Sequence, residues 1–188
     1  MELIDRYSGL IFDCDGTLSD SMPLHFIAWR DTMARHGIEF SEERFYGMGG
    51  MPTEKIVAIL ASENSIELDA RAVAGEKEDA FLEQIDLLQP RPDICAIARN
   101  HCGKLPMAVA SGSERRSVLV QLRHLEITNI FDAIVTAEDT QFHKPKPDVF
   151  LKAASLMNVD PTQCLVYEDS PLGFQAATAA GMDFVDVG

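Results

Sequence analysis

Short apolar runs that end abruptly on a polar or acidic residue constrain this chain more than any other feature. Leu10-Ile11-Phe12 stops at Asp13, Met107-Ala108-Val109-Ala110 at Ser111, Ala133-Ile134-Val135 at Thr136, and Leu165-Val166-Tyr167 at Glu168; a fifth run is Phe184-Val185-Asp186-Val187. They do not alternate in polarity, so they read as strands covered on both faces, as in a parallel sheet. Helical patterns lie between the later runs. Glu114 to Leu125 carries Val118, Leu119 and Leu122 at helical spacing, and Pro147-Asp148 opens a segment bearing Phe150, Leu151, Ala154 and Leu156. Ser170-Pro171 offers an N-cap and a first-turn proline, and Gly181 a C-terminal stop. Strand-helix alternation of this kind predicts a doubly wound, Rossmann-like α/β core with a parallel sheet. Ligands of such sheets bind beyond the carboxyl ends of the strands, where Asp13, Ser111 and Glu168-Asp169 all fall.

One interval breaks the alternation. About ninety residues separate Asp13 from Pro106, several times the dozen or so that a crossover requires. Residues 20–88 contain only helical patterns, at Leu24 to Arg35, Glu54 to Ala61 and Asp69 to Leu82, broken at Gly37 and at the turn Gly47-Met48-Gly49-Gly50-Met51-Pro52. The expected organisation is a core from residues 1–19 and 89–188, with an all-helical cap, 20–88, inserted above its site.

A chain of 188 residues that is 46% hydrophobic can bury a core of its own. Its formal charge of -14 repels phosphate backbones and anionic membranes, which argues against nucleic acid or a membrane surface as partner. An anionic substrate would have to be gripped by local devices: a metal ion, a lysine or backbone N–H groups. The four cysteines, Cys14, Cys95, Cys102 and Cys164, form no CxxC pair, and the start Met1-Glu2-Leu3-Ile4-Asp5 is acidic where a signal peptide is basic. No apolar run approaches the ~20 residues that span a bilayer. A cytoplasmic protein is expected.

The chemistry-bearing residues gather at the strand ends. Asp13-Cys14-Asp15-Gly16-Thr17 sets two carboxylates two residues apart where a strand leaves its sheet; on a continuing strand both would share a face, and alone the pair could be a solvated acidic turn. Glu168-Asp169, which could merely favour a helix N-terminus, brings four carboxylates to one edge. They would repel and raise one another's pKa values unless a cation sat among them, and oxygen ligands suit magnesium. Lys144 is flanked by prolines in His143-Lys144-Pro145-Lys146-Pro147, and Ser111-Gly112-Ser113 supplies a hydroxyl and N–H groups ahead of a helix, where anions are held. Together these are the parts of phosphoryl transfer: a carboxylate nucleophile, a proton donor, a divalent ion and donors for the transferring oxygens. Met33, Met48, Met51, Met107 and Met157 are expected to fill cores and loops. His36, His101, His124 and His143 lack metal-ligand spacing.

In this order the motifs Asp13-x-Asp15-Gly16-Thr17, Ser111, Lys144 and Glu168-Asp169 resemble those of the haloacid dehalogenase superfamily over the full length. The resemblance implies that Asp13 attacks phosphorus to form an aspartyl phosphate, and that Asp15 protonates the leaving oxygen and then activates water. It further implies that Ser111, Gly112 and Lys144 bind phosphate, and that Asp13, the Asp15 backbone carbonyl and Asp169 hold Mg2+ with Glu168 in support. Dehalogenases of the superfamily lack the acid two residues after the nucleophile, so Asp15 favours phosphate chemistry. The insertion resembles the cap of the beta-phosphoglucomutase-like branch, with His25-x-x-x-Trp29 on one helix and Lys77 in Glu76-Lys77-Glu78-Asp79. There the histidine orients the acid/base and the cap lysine contacts substrate; without the resemblance, a surface histidine, a core tryptophan and a solvated lysine are the simpler readings.

True mutases of that branch carry a cap-loop arginine for a distal phosphate, whereas the matching stretch here offers Thr53. That departure resembles bacterial fructose-1-phosphate phosphatases and implies a hydrolase gripping one phosphate of a small sugar phosphate. A phosphomutase is the alternative, and an inactive sugar-phosphate-binding protein a more distant one. A phospho-receiver domain also uses a strand-end aspartate, a lysine and an acidic pair, but there the pair precedes the phosphorylated aspartate; here it follows far downstream.

Overall fold

The computed structural model describes residues 3–49 and 51–188; Met1, Glu2 and Gly50 of the Gly-rich turn lie outside the described residues. Five parallel strands, β1 (Gly9–Phe12), β2 (Met107–Ala110), β3 (Ala133–Val135), β4 (Cys164–Glu168) and β5 (Asp183–Asp186), form one sheet in the order β3-β2-β1-β4-β5. Every residue of β1, β2 and β4 is buried, as strands covered on both faces must be. Successive side chains of β1 serve opposite faces. Leu10 and Phe12 join Val109, Leu165, Tyr167 and the helices α5 (Pro92–His101) and α6 (Arg115–His124) on one side. Ile11 joins Ala108, Val166 and the helices α7 (Asp148–Met157) and α8 (Pro171–Ala179) on the other. The register aligns Phe12 with Val109 on one neighbour and with Tyr167 on the other, so the residues that follow these strands emerge side by side.

The last strand departs from expectation. β5 covers Asp183–Asp186, one residue earlier than its apolar run, and is largely exposed. It is an edge strand, where one flank has no neighbour to bury it; Phe184 instead stacks on Phe174 of α8 with ring centroids 4.8 Å apart.

The long insertion is helical: α1 (Met22–Arg35), α2 (Glu42–Gly47), α3 (Thr53–Glu63) and α4 (Ala70–Leu82). Sequence reading missed α2, although Ser41 caps it by accepting from the Arg44 N–H and Glu42 and Glu43 follow in the first turn. Asp69 likewise caps α4, accepting from the Arg71 and Ala72 N–H groups at 3.1 Å. The insertion has a core of its own, with Met33, Ile38, Phe40, Phe45, Val57, Leu60 and Val73 packed around Trp29. It joins the sheet through two segments that pair with each other. Asp20 donates its N–H to the Gln89 carbonyl and Arg91 donates its own to the Leu18 carbonyl, both at 2.9 Å, while Ser19 and Pro90 form an antiparallel bridge. All four cysteines are free thiols, and no helix among the described residues is long and apolar enough to cross a membrane.

Candidate active site

At the carboxyl edge of the sheet, β1 delivers Asp13, β2 delivers Ser111 and β4 ends on Glu168-Asp169. The loop before α7 brings Lys144 to the same point. Its Nζ donates to Asp13 Oδ1 at 2.7 Å and to Glu168 Oε2 at 2.6 Å, with all three side chains buried, and it lies 5.0 Å from the centre of the Phe150 ring. The other Glu168 oxygen accepts from the Ser170 N–H at 3.1 Å and from its hydroxyl at 2.7 Å. Asp169 Oδ1 accepts from the Thr17 hydroxyl at 3.1 Å.

Asp13, Glu168 and Asp169 each place a carboxylate oxygen within 4.8 Å of the others. The backbone is cut to fit them. A Cβ at Gly16, whose φ is +81°, would stand 2.1 Å from Asp169 Oδ2, in a conformation L-residues disfavour. Burial and then the Glu168 charge push Asp13 well above the usual carboxylate range against the pull of Lys144, and the same two causes push Asp169 up to about 6. Burial works against the Lys144 charge, yet Asp13 and Glu168 raise it above an ordinary lysine. One ammonium against three carboxylates leaves negative charge uncompensated, and these hard oxygen donors fit a small divalent cation.

Asp15 lines the same cleft at this edge, as expected, but its carboxylate lies outside that group of three. β1 ends at Phe12 and the chain turns through Gly16, so the two-residue alternation of a strand does not carry Asp13 and Asp15 to one face. The Asp15 carboxylate accepts from Ser21 Oγ and Gln121 Nε2 on Oδ1, both at 2.8 Å, and from Ser113 Oγ on Oδ2 at 2.6 Å. His25 Nε2 also meets Oδ1 at 2.8 Å. Burial opposes the charge, but His25, Ser113 and Gln121 hold this carboxyl well below the usual range. With its carboxylate so occupied, Asp15 has its backbone carbonyl left to offer a metal.

His25 and Lys77 are buried, not solvated. Lys77 Nζ meets His25 Nδ1 at 2.8 Å; an ammonium can only donate, so Nδ1 accepts and Nε2 carries the proton that faces Asp15. The His25 ring stacks on Phe81 with centroids 3.8 Å apart, and Lys77 Nζ lies 5.5 Å from the centre of the Trp29 ring. Core and insertion flank one open cleft with room of about 100 Å³. Asp13, Asp15, Ser111, Gly112, Lys144, Glu168 and Asp169 line its floor, and His25, Trp29, Met48, Gly49, Met51, Thr53 and Lys77 its roof. Met48 and Met51 of the Gly-rich turn pack in the insertion, as expected of them, and also line the cleft.

Sequence reading passed over Gln121, Ser21 and Glu78. Gln121 is fully buried and accepts from Ser19 Oγ at 2.7 Å while donating to Asp15; an amide on the apolar stripe between Val118 and Leu122 was its only signal. Glu78 accepts from Thr53 Oγ1 at 3.0 Å and from Lys77 Nζ at 3.1 Å, a role that no spacing reveals.

The doubly wound sheet, the acidic edge with its buried lysine and the helical lid over one cleft define a capped α/β hydrolase. The chain belongs to the haloacid dehalogenase-like hydrolase family, whose description it matches over residues 10–187. It is 42% identical, over 98% of each chain, to the fructose-1-phosphate phosphatase YqaB of Escherichia coli (strain K12). It is 30% identical to the beta-phosphoglucomutase of Bacillus subtilis (strain 168), over 95% of this chain and 82% of the relative. Among solved structures, the beta-phosphoglucomutase of Clostridium difficile superposes with a TM-score of 0.86 at 25% identity, over 97% of this chain and 85% of that one.

Proposed function

We propose that this chain is a magnesium-dependent phosphatase that hydrolyses a small sugar phosphate of the hexose phosphate type, such as fructose 1-phosphate. The observation that carries the reading is the contrast between two carboxylates two residues apart: Asp13 paired to Lys144 among acids, Asp15 enclosed by hydrogen-bond donors. Distinct environments for neighbouring acids are how one site assigns a nucleophile and an acid/base. The 42% identity to a fructose-1-phosphate phosphatase supports the substrate class.

In this reading an Asp13 oxygen attacks phosphorus, the ester P–O bond breaks, and the departing alkoxide takes a proton from the Asp15 carboxyl. Water then attacks the aspartyl phosphate and gives its proton to the Asp15 carboxylate, and the bond to Asp13 breaks to return the free carboxylate and inorganic phosphate. Ser111, the Gly112 N–H and Lys144 hold the phosphoryl oxygens. Asp13, Asp169 and the Asp15 carbonyl would hold magnesium with Glu168 in support, the ion supplying charge neutralisation for the phosphoryl oxygens. Four donors keep Asp15 ionised, so it takes up a proton only when some of them withdraw. Ser21 and His25 belong to the inserted segment, so displacement of the cap against the sheet changes their number.

The test is phosphate release from a panel containing fructose 1-phosphate and both anomers of glucose 1-phosphate, with magnesium and an Asp13→Asn control. Release by the wild type and none by the folded variant is expected. Full activity in Asp13→Asn refutes the mechanism. Conversion of beta-glucose 1-phosphate to glucose 6-phosphate with a bisphosphate primer, without net release, establishes the phosphomutase alternative.

A further inference from the structure

Among the described residues, Lys77 is the only lysine or arginine that the insertion contributes to the wall of the cleft. Its charge is already spoken for. Nζ lies 3.1 Å from Glu78 Oε1, and both side chains are 4% exposed. Glu78 is anchored from a second side by the Thr53 hydroxyl, which donates to the same oxygen at 3.0 Å. Its other oxygen, Oε2, is buried without a hydrogen-bond partner. A buried acceptor left unsatisfied is costly, and a buried ion pair is itself weak support for a fold, so stability does not explain why a glutamate stands here.

We propose that Glu78 is a specificity-determining residue. By cancelling the charge of Lys77 it gives the roof of the cleft no net positive charge, so the cleft accepts phosphomonoesters of neutral polyols and discriminates against substrates with a second phosphate. The idea rests on the phosphate-handling reading of the Asp13 end of the cleft. With one phosphate held at the floor by Lys144 and the metal site, the rest of the substrate meets Thr53, Lys77 and the apolar ring of Trp29. A second dianion there would face an ammonium whose charge the buried Glu78 already neutralises. A hydroxyl meets the opposite case, because the Thr53 oxygen, which lines the cleft, retains lone pairs after donating to Glu78. The charge balance of this wall selects by repulsion as much as by attraction.

The experiment compares a hexose 1-phosphate with the corresponding hexose 1,6-bisphosphate. Calorimetric binding is measured with magnesium in an Asp13→Asn background, with and without Glu78→Gln, and phosphate release is measured in the wild type. Glu78→Gln keeps the shape and the Thr53 acceptor but frees the Lys77 charge. It is expected to raise bisphosphate affinity relative to monophosphate by about tenfold or more, an effect that shrinks with added salt. An unchanged ratio, with both affinities falling together, makes Glu78 structural and overturns the proposal. If Glu78→Gln does not fold, the parent protein decides: bisphosphate binding as tight as monophosphate binding, or tighter, overturns it. Selective binding without phosphate release from the wild type upholds the proposal and removes the phosphatase reading, whereas release without a shift in selectivity does the reverse.

Discussion

Stripped of divalent ions, the protein should lose stability as the pH rises from about 4 to about 6, and the share of that slope set by Asp169 can be isolated. Asp169 titrates near 3.8 when unfolded, whereas burial and the Glu168 charge push it up to about 6 in the fold. Between those values the folded state binds the extra proton, so ionising Asp169 favours the unfolded chain. A gap of about two pH units at ~1.4 kcal/mol each puts the loss on the order of 2 to 3 kcal/mol, complete above the folded value. Asp13 shifts in the same direction for the same causes. Asp15 does not blur the window: held below its ordinary range, it contributes stability that is present above the unfolded value and is lost only under more acidic conditions. The assay is urea unfolding at pH 4.5, 5.5 and 6.5 in excess chelator, repeated with Asp169→Asn, which removes the titration at nearly constant shape. The wild type should fall relative to the variant across this range, and saturating magnesium should restore it by about 2.7 kcal/mol at a hundred times the dissociation constant. A wild-type stability that stays level with, or rises against, that of Asp169→Asn would refute the charge account, and no response to magnesium would remove the metal from it.

Three further outcomes follow from the same geometry. Lys144→Met leaves Asp13 and Glu168 buried without their shared ammonium and should cost about 3 to 5 kcal/mol in denaturant unfolding at pH 7, with phosphate release lost. Gly16→Ala forces a left-handed alanine against Asp169. It should lower stability by about 1 to 2 kcal/mol and magnesium affinity by about ten- to a hundredfold, read by calorimetry. Gly173→Ala would set a Cβ 2.0 Å from Glu168 Cδ, and should unfold at lower temperature than the wild type because Glu168 cannot retreat without losing Lys144.

What could be read in the sequence depended on whether a residue's role followed from its place along one element. β1, β2 and β4 were legible because a strand covered on both faces must be apolar throughout, and because their last residues are carried to one edge by topology alone. β5 was half legible: its position showed, but not its exposure, which depends on what lies beside it. α2 escaped because a six-residue helix is too short to display a period, even with Ser41 at its cap. The failures at the site share a cause. Gln121 reaches Asp15 from 106 residues away and Glu78 reaches Thr53 across 25, while Ser21 meets Asp15 around a turn only 6 residues long; such partners are chosen by packing, and only the buried amide of Gln121 on an apolar stripe hinted at one. The same limit hid the partners of the Asp15 carboxylate, whose direction is set by a turn and by four donors from three separate regions.

The antiparallel pairing of the segments on either side of residues 20–88 has a consequence for how such proteins diversify. Because Asp20 bonds to Gln89 and Leu18 to Arg91, the chain returns to the sheet beside the point where it left. To the core, the whole insertion is a long loop whose closing entropy grows only slowly with length. Chemistry is then inherited with the strand ends, and selectivity with a module that can be lengthened, repacked or exchanged without moving Asp13, Lys144 or Asp169.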